Sequence, residues 1–210
     1  MNPLNNPVKL LKALLIAAVT LTASQARAGL PTDQIKTTVD KALVVLRDPR
    51  LKPPAKQTER REQLKQVLFS RFNFAEMAKR SLGAHWQRRN PTEQQEFVKL
   101  FTDLVESSYV DAIESYNGEK VVVANEKQDK DFAEVNTKIF TKKGEEFAVD
   151  YKLHETSGSW KIYDAIIENV SLVNNYRSQF NRVIAKSSYE DLMAKMKDKQ
   201  FEAPGKKAKT

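Results

Sequence analysis

The feature that most constrains the fold is a change in the spacing of apolar residues at Gly118. Before Gly118, apolar side chains recur every three or four residues, which is the spacing of an α-helix. After it they alternate with polar ones, which is typical of half-buried β-strands. Helices followed by strands predict an α+β protein, in which one antiparallel sheet is covered by helices.

Four helices are predicted before Gly118. They cover residues 32–46, a segment ending near 69, residues 72–82 and residues 91–116. Asn90, Pro91 and Glu93 form a helix-start pattern, because an Asn cap, a proline in the first turn and a Glu three residues after the cap satisfy free amide groups. Gly83 is a natural stop for the third helix.

Beyond Gly118 we predict a four-strand antiparallel meander. Its strands cover residues 121–124, 133–139, 147–154 and 160–168. A long final helix, 170–198, returns across the sheet. The expected shape is a curved sheet with helices on its concave face, enclosing an apolar cavity. We expect one domain over 29–200, mainly helical over 29–118 and sheet over 119–168, followed by a basic disordered tail, 201–210.

The first 28 residues have the pattern of an export signal. Lys9 and Lys12 precede an apolar run at 13–21, and Ala26 and Ala28 flank Arg27 as a small-x-small cleavage site. The alternative is a membrane anchor, but the run is short for a bilayer. The chain has no cysteine, which excludes disulfide scaffolds, Cys-ligated metal centres and catalytic-cysteine enzymes.

Charge is unevenly distributed along the chain. The formal net charge is +8, and residues 29–91 carry 14 basic and 6 acidic side chains against 13 and 19 in residues 92–196. The basic part, including Arg60, Arg61 and Lys65, either assists approach to anionic lipid or acidic surfaces or is an ordinary solvated helix surface. Export and the lack of regularly interleaved aromatic residues argue against a nucleic-acid partner.

No catalytic constellation is visible in the sequence. His85 and His154 are far apart and have no metal-ligand partner at useful spacing, so no metal is expected. No phosphate-binding glycine loop or Gly-x-Ser-x-Gly elbow occurs. Asp164 interrupts an apolar strand face and Asp150 lies on the polar face of its strand. Each is either a general base in a cavity or a hydrogen-bonded structural carboxylate, and we favour the second role.

Several segments together resemble the toluene-tolerance (MlaC) family over residues 34–196. The matching residues are Phe72-Asn73-Phe74-Ala75-Glu76-Met77-Ala78, Leu82-Gly83 with Trp86, Thr92, Gln95, Phe97, Phe101, Tyr109, Tyr116, Trp160-Lys161-Ile162-Tyr163-Asp164, and Ser171-Leu172-Val173 followed by Asn175-Tyr176-Arg177 and Gln179-Phe180. The order and spacing of these segments make the resemblance specific.

The resemblance implies a periplasmic phospholipid carrier with a fold like nuclear transport factor 2 plus a helical subdomain. It implies no enzymatic activity and no cofactor, with phospholipid as cargo. The implied partners are an outer-membrane lipoprotein complex and an inner-membrane ABC transporter with an MCE-domain subunit, and the implied state is a monomer. The implied lipid-binding residues are Phe72, Met77, Leu82, Phe101, Val105, Tyr109, Phe147, Val149, Tyr151, Tyr163 and Ile166.

Two alternatives remain open. One is an enzyme on the same fold that uses Asp164 or Asp150 as a general base. The other is an adaptor that bridges two membrane complexes without binding lipid, which would have an interior filled by side chains.

A phospholipid carrier has a clear physical task, because each acyl methylene exposed to water costs about 0.8 kcal/mol.

Overall fold

The structure, a computed structural model, describes residues 30–116 and 118–203. The predicted signal segment 1–28 and most of the predicted tail lie outside the described residues, as does Asn117 at the change of period.

Four α-helices precede the sheet, as predicted. They are α1 (Pro31–Arg47), α2 (Gln57–Phe69), α3 (Phe74–Leu82) and α4 (Pro91–Glu114), with short 3-10 helices at Pro49–Leu51, Pro54–Lys56 and Gly83–Arg88. The predicted capping box is present at α4, where Asn90 Oδ1 accepts from the Glu93 amide (3.0 Å) and Glu93 Oε2 accepts from the Asn90 amide (2.8 Å). Gly83 caps α3 with φ of 59°.

The sheet has five antiparallel strands in sequential order instead of four. They are β1 (Lys120–Asp129), β2 (Phe132–Phe140), β3 (Glu146–Thr156), β4 (Ser159–Ile167) and β5 (Val170–Ser171). Glu168 and Asn169 both have positive φ, 49° and 64°, and this pair turns the chain tightly enough for Val170 to pair with Ile167. The two-residue strand β5 was missed because no alternating pattern fits in two residues.

The predicted single helix after the sheet is wrong, because the structure divides it into two. These are α5 (Leu172–Lys186) and α6 (Tyr189–Lys197), separated by Ser187 and Ser188. The Ser188 hydroxyl accepts from the Asp191 amide (3.0 Å) and so caps α6. Serine favours caps over helix interiors because its hydroxyl competes for backbone groups, and the pair therefore ends one helix and begins the next.

Three apolar clusters form the core. The helical core joins α3, α4, α5 and α6, and contains Met77, Phe97, Phe101, Tyr176 and Phe180. The sheet core packs Ile35 of α1 against one face of the sheet, through Ala133, Val135, Leu153, Trp160 and Ile162. A third cluster, with Ala42, Leu46 and Leu64, joins α1 to α2. We call the sheet face that α1 covers the inner face.

In the described part of the chain, no helix has the length and apolar character needed to cross a membrane.

Candidate functional site

The inner face carries the three strand residues predicted to bind lipid. Phe147, Val149 and Tyr151 alternate along β3 on the same side as Leu153 of the sheet core. On β2, Ile139 pairs with Phe147 and Thr137 pairs with Val149. On β4, Ile167 pairs with Val149. Directly paired residues point to the same side of a sheet, so these side chains form one apolar surface.

Part of that surface is not fully covered by the core clusters. Phe147, Val149, Ile139 and Ile167 are only half-buried. Among the described residues, they are not part of any of the three clusters or of the side chains packed against them. At this end of the sheet, where the β2–β3 turn lies, the inner face is therefore a partly uncovered apolar surface.

Tyr151 packs against the sheet core on the inner face and Tyr109 packs against the helical core, and the pKa of each hydroxyl group is raised. Burial raises the pKa of Tyr151 to about 12, with a hydrogen bond to Thr137 acting in the opposite direction. Burial also raises the pKa of Tyr109 on α4, and the neighbouring Tyr176 adds to this effect. The Thr137 hydroxyl donates to the Val149 carbonyl (2.5 Å), which removes a polar acceptor from the centre of the face. The site thus presents uncharged groups suited to an apolar ligand.

The helical residues predicted to bind lipid lie mainly in the helical core. Met77, Leu82, Phe101 and Val105 have exposed fractions of 5% or less and pack among the side chains of α3, α4, α5 and α6. Phe72 packs against both the helical core and the sheet core, so it lies at the border between them. The structure therefore brings together the β3 residues, and places the helical ones in adjoining packed regions.

Tyr163 and Ile166 do not share the inner face with the β3 residues. The β3–β4 pairing shifts between Lys152 and Leu153, which leaves Tyr163 as an extra, bulged residue. Ile166 pairs with Asp150, on the opposite side from Val149 and Tyr151. The Tyr163 ring contacts Phe132 on that outer side (6.1 Å between centroids), with the Arg80 guanidinium 4.4 Å from it.

Ile139 and Ile167 belong to the inner face but were not among the predicted site residues. The alternation along β2 predicts that Ile139 lies on the same side of the strand as Val135, so the sequence could have identified it. The sequence could not predict which side of the sheet Ile167 occupies, because the bulge at Tyr163 reverses the alternation within β4.

Asp164 has a structural role, as favoured from the sequence. It is 7% exposed, and its carboxylate accepts from the Ser171 hydroxyl (2.6 Å) and from the Val173 amide (3.1 Å). Both donors belong to the start of α5, so this carboxylate holds that helix against β4. Asp150 faces the outer side of the sheet, away from Val149 and Tyr151. Neither carboxylate is placed as a general base on the inner face.

The two histidines are also remote from the inner face. His85 contacts Asn181 (3.1 Å), and His154 contacts Asp131 (3.0 Å) on the outer side of the sheet. The hydrogen bond with His154 lowers the pKa of Asp131. Within the two described ranges, no group of three or more His, Asp or Glu side chains is arranged to hold a metal ion.

Part of the predicted basic surface is engaged in ion pairs between α2 and α4. Arg61 contacts Asp111 (2.7 Å) and Glu114 (2.8 Å), and Lys65 contacts Glu106 (2.9 Å). These two cations therefore join helices, and they are not free for an anionic partner.

The fold and the inner face define a class: an α+β protein with one antiparallel sheet whose inner face carries half-buried apolar side chains. The family model described as MlaC protein matches residues 36–198, and the chain belongs to the MlaC family. The resemblance inferred from the sequence motifs is confirmed.

Two relatives extend this comparison. The chain is 25% identical over 120 residues to the intermembrane phospholipid transport system binding protein MlaC of Haemophilus influenzae, a match that covers 55% of this chain and only 56% of that relative. A phospholipid-binding protein from Ralstonia solanacearum, solved in complex with a phospholipid, superposes with a TM-score of 0.72 at 25% identity. That match covers 80% of this chain and 94% of the solved chain.

Proposed function

We propose that this protein binds a phospholipid and carries it between membranes as a component of an intermembrane phospholipid transport system. One observation carries the proposal: a sheet face of apolar side chains is only half-buried, in a chain similar to a protein solved in complex with phospholipid. Single exposed apolar residues are common, but a contiguous apolar surface indicates a binding site.

The energetics of lipid transfer fit such a surface. A chain of about sixteen carbons costs more than about 10 kcal/mol to expose to water, at about 0.8 kcal/mol per methylene. The carrier must replace that water with apolar contacts and needs no reactive group. Phe147, Val149, Ile139 and Ile167 supply apolar contacts, and Tyr151 on the same face adds an uncharged hydroxyl group.

The acyl chains lie, in this proposal, between the inner face and α4. In this arrangement the β3 residues Phe147, Val149 and Tyr151 form one wall, and Tyr109 and Val105 of α4 form the other. Phe72, Met77, Leu82 and Phe101 form the packed floor, which opens into an apolar cavity when lipid is bound. Tyr163 and Ile166 contribute from the outer side by fixing the position of β4.

The proposed setting is the periplasm, reached through the signal segment. There a monomer would exchange lipid with an outer-membrane lipoprotein complex and an inner-membrane ABC transporter with an MCE-domain subunit. The transport-system name of the Haemophilus influenzae relative supports partners of this kind.

Native mass spectrometry of the purified mature protein, followed by organic extraction, tests the binding function. We expect a mass increase equal to a two-chain phospholipid, with the same lipid recovered in the extract. A protein that is always empty, even after incubation with phospholipid vesicles, contradicts the proposal.

A further inference from the structure

A basic cleft of about 500 Å³ lies at the end of the molecule where α1 and α4 end and β1 begins. It is lined by Leu46, Arg47, Lys52, Arg60, Glu114, Tyr116, Gly118 and Lys142. Four of these side chains are cationic and one is anionic. The one anion, Glu114, is paired with Arg61 through Oε2, while its Oε1 is buried and has no donor among the described residues; cationic side chains still outnumber the anionic one in the lining of the cleft.

Three of the four cleft cations form no ion pair within the described part of the chain. In the described ranges, Arg47, Lys52 and Arg60 have no carboxylate oxygen within 4.0 Å. Arg60 donates from Nη2 to the Glu114 carbonyl (3.0 Å), but its Nε is buried and has no acceptor among those residues. A buried guanidinium N–H without an acceptor is costly, and this guanidinium belongs to a side chain that lines the cleft.

The cleft adjoins the uncovered end of the inner face. Lys142 lies in the turn between β2 and β3, immediately after the strand end that carries Ile139. This turn closely approaches the start of β1, since Lys142 Cε lies 2.9 Å from the position of a Cβ built on Gly118. On the other side, Leu46 and Tyr116 connect the cleft to the apolar cluster of α1 and α2. An amphiphile can therefore place its apolar part on the inner face and its anionic part in the cleft.

We infer that this cleft binds the phosphate group of the lipid whose acyl chains occupy the inner face. The inference rests on the proposed function and adds a polar subsite to it. Arginine suits this role because its fork of N–H groups matches phosphate oxygens. Arg47 already donates to the Tyr116 hydroxyl (2.9 Å), which leaves that hydroxyl proton free to donate to a phosphate oxygen.

The test is a double variant, Arg47→Gln with Lys52→Gln, which we call the cleft variant. It is compared with a control variant that loses the same charge. The control is Arg88→Gln with Lys186→Gln, because both side chains are exposed and lie away from the cleft. Delipidated proteins are equilibrated with vesicles containing phosphatidylglycerol or diacylglycerol with the same acyl chains, and bound lipid is measured by native mass spectrometry. Soluble glycerol phosphate is titrated separately by calorimetry.

We expect the cleft variant to retain about tenfold less phosphatidylglycerol than the wild type, because charge-assisted hydrogen bonds are lost. Its retention of diacylglycerol should match that of the wild type, and the control should retain both lipids. Lys52→Gln alone should give a smaller loss of the same kind. Lys52 is exposed, so this single variant keeps the test informative if the double variant folds poorly.

Other outcomes separate the two proposals. If the cleft variant loses both lipids equally, or loses neither, the phosphate subsite is wrong while lipid binding stands. If glycerol phosphate binds the wild type as tightly as phosphatidylglycerol, the cleft is a site for free phosphate and the inference is again wrong. If the wild type takes up neither lipid, the proposed function itself fails.

Discussion

At the scale of single residues, burial distinguishes the side chains that build the core from those available to a ligand. Val105 and Val149 are both valines predicted to bind lipid, but Val105 is 5% exposed in the helical core and Val149 is half-buried on the inner face. Asp164 and Asp150 differ in the same way, since only Asp164 is buried and accepts hydrogen bonds from the start of α5.

The valine pair gives the first prediction. Val149→Trp should strongly reduce co-purified phospholipid and change the free energy of unfolding by less than about 1 kcal/mol, because the indole occupies space left for lipid. Val105→Trp should destabilise the fold by about 1–3 kcal/mol, because it overpacks a filled core. Lipid extraction and urea unfolding measure the two effects. An adaptor with a filled interior would instead show a similar loss of stability for both variants.

The carboxylate pair gives the second prediction. Asp164→Ala should lower the free energy of unfolding by about 1–3 kcal/mol, because the Ser171 hydroxyl and the Val173 amide lose their acceptor. Phospholipid binding should persist in the folded variant. Asp150→Ala is the matched control, with an expected change below about 0.5 kcal/mol. Equal costs in urea unfolding would contradict the structural role of Asp164.

At the scale of elements, the motif segments that identify the family contact one another. The 3-10 helix that begins at Gly83 packs close to Arg177 of α5, where a Cβ on Gly83 would lie 3.0 Å from the arginine Nε. Gly83 adopts φ of 59° and ψ of −131°, a conformation open to glycine and strained for other residues. The Leu82-Gly83 motif thus ends α3 and also allows α5 to approach it.

Gly83→Ala tests that contact. We expect it to lower the free energy of unfolding by about 1–3 kcal/mol, because the backbone is strained and the Arg177 side chain must move. Gly144→Ala is a control with positive φ (83°), where an added Cβ meets nothing within 4 Å. Thermal unfolding compares the two variants, and a loss at Gly83 no greater than that at Gly144 would contradict the packing argument.

At the scale of the whole molecule, the charge contrast seen along the sequence is partly cancelled by folding. Arg61 and Lys65 from the basic segment pair with Asp111, Glu114 and Glu106 of the acidic segment. Reversing those cations would disturb the contact between α2 and α4, so they are poor probes of partner docking. Arg47 and Lys52 of the cleft form no ion pair in the described residues, so replacing them leaves the ion pairs between α2 and α4 in place.

Burial of tyrosines on several elements gives a prediction for the whole fold. Burial raises the pKa of Tyr151 on β3 and of Tyr189 on α6 to about 12, and raises that of Tyr176 on α5. An unfolded tyrosine ionises near about pH 10, so above that pH the unfolded state loses protons that the folded state keeps. The stabilisation from these groups is complete below about pH 10 and is lost as pH rises toward about 12.

Urea unfolding between about pH 9 and 11.5 measures this effect. The free energy of unfolding should fall with pH, and the fall should be shallower in Tyr151→Phe, which removes one of the groups. An unchanged pH dependence in Tyr151→Phe would show that its hydroxyl ionises equally in both states.

Local sequence patterns were sufficient to predict the α+β class, the four helices before Gly118, the capping box at α4 and the apolar face of β3. These features follow from the spacing of apolar residues and from the residues that cap helices, and both depend on residues close together in the chain. The same local patterns also carried the family resemblance.

Tertiary contacts, by contrast, set the bulge at Tyr163 and the pairing of the two-residue strand β5 with β4. A bulge is set by pairing with another strand, and a one-residue shift moves every later side chain to the opposite face. For the same reason the sequence could propose Met77, Phe101 and Phe147 for one site, but could not tell a filled core from an uncovered face. That difference depends on which elements pack together, and periodicity within an element does not measure it.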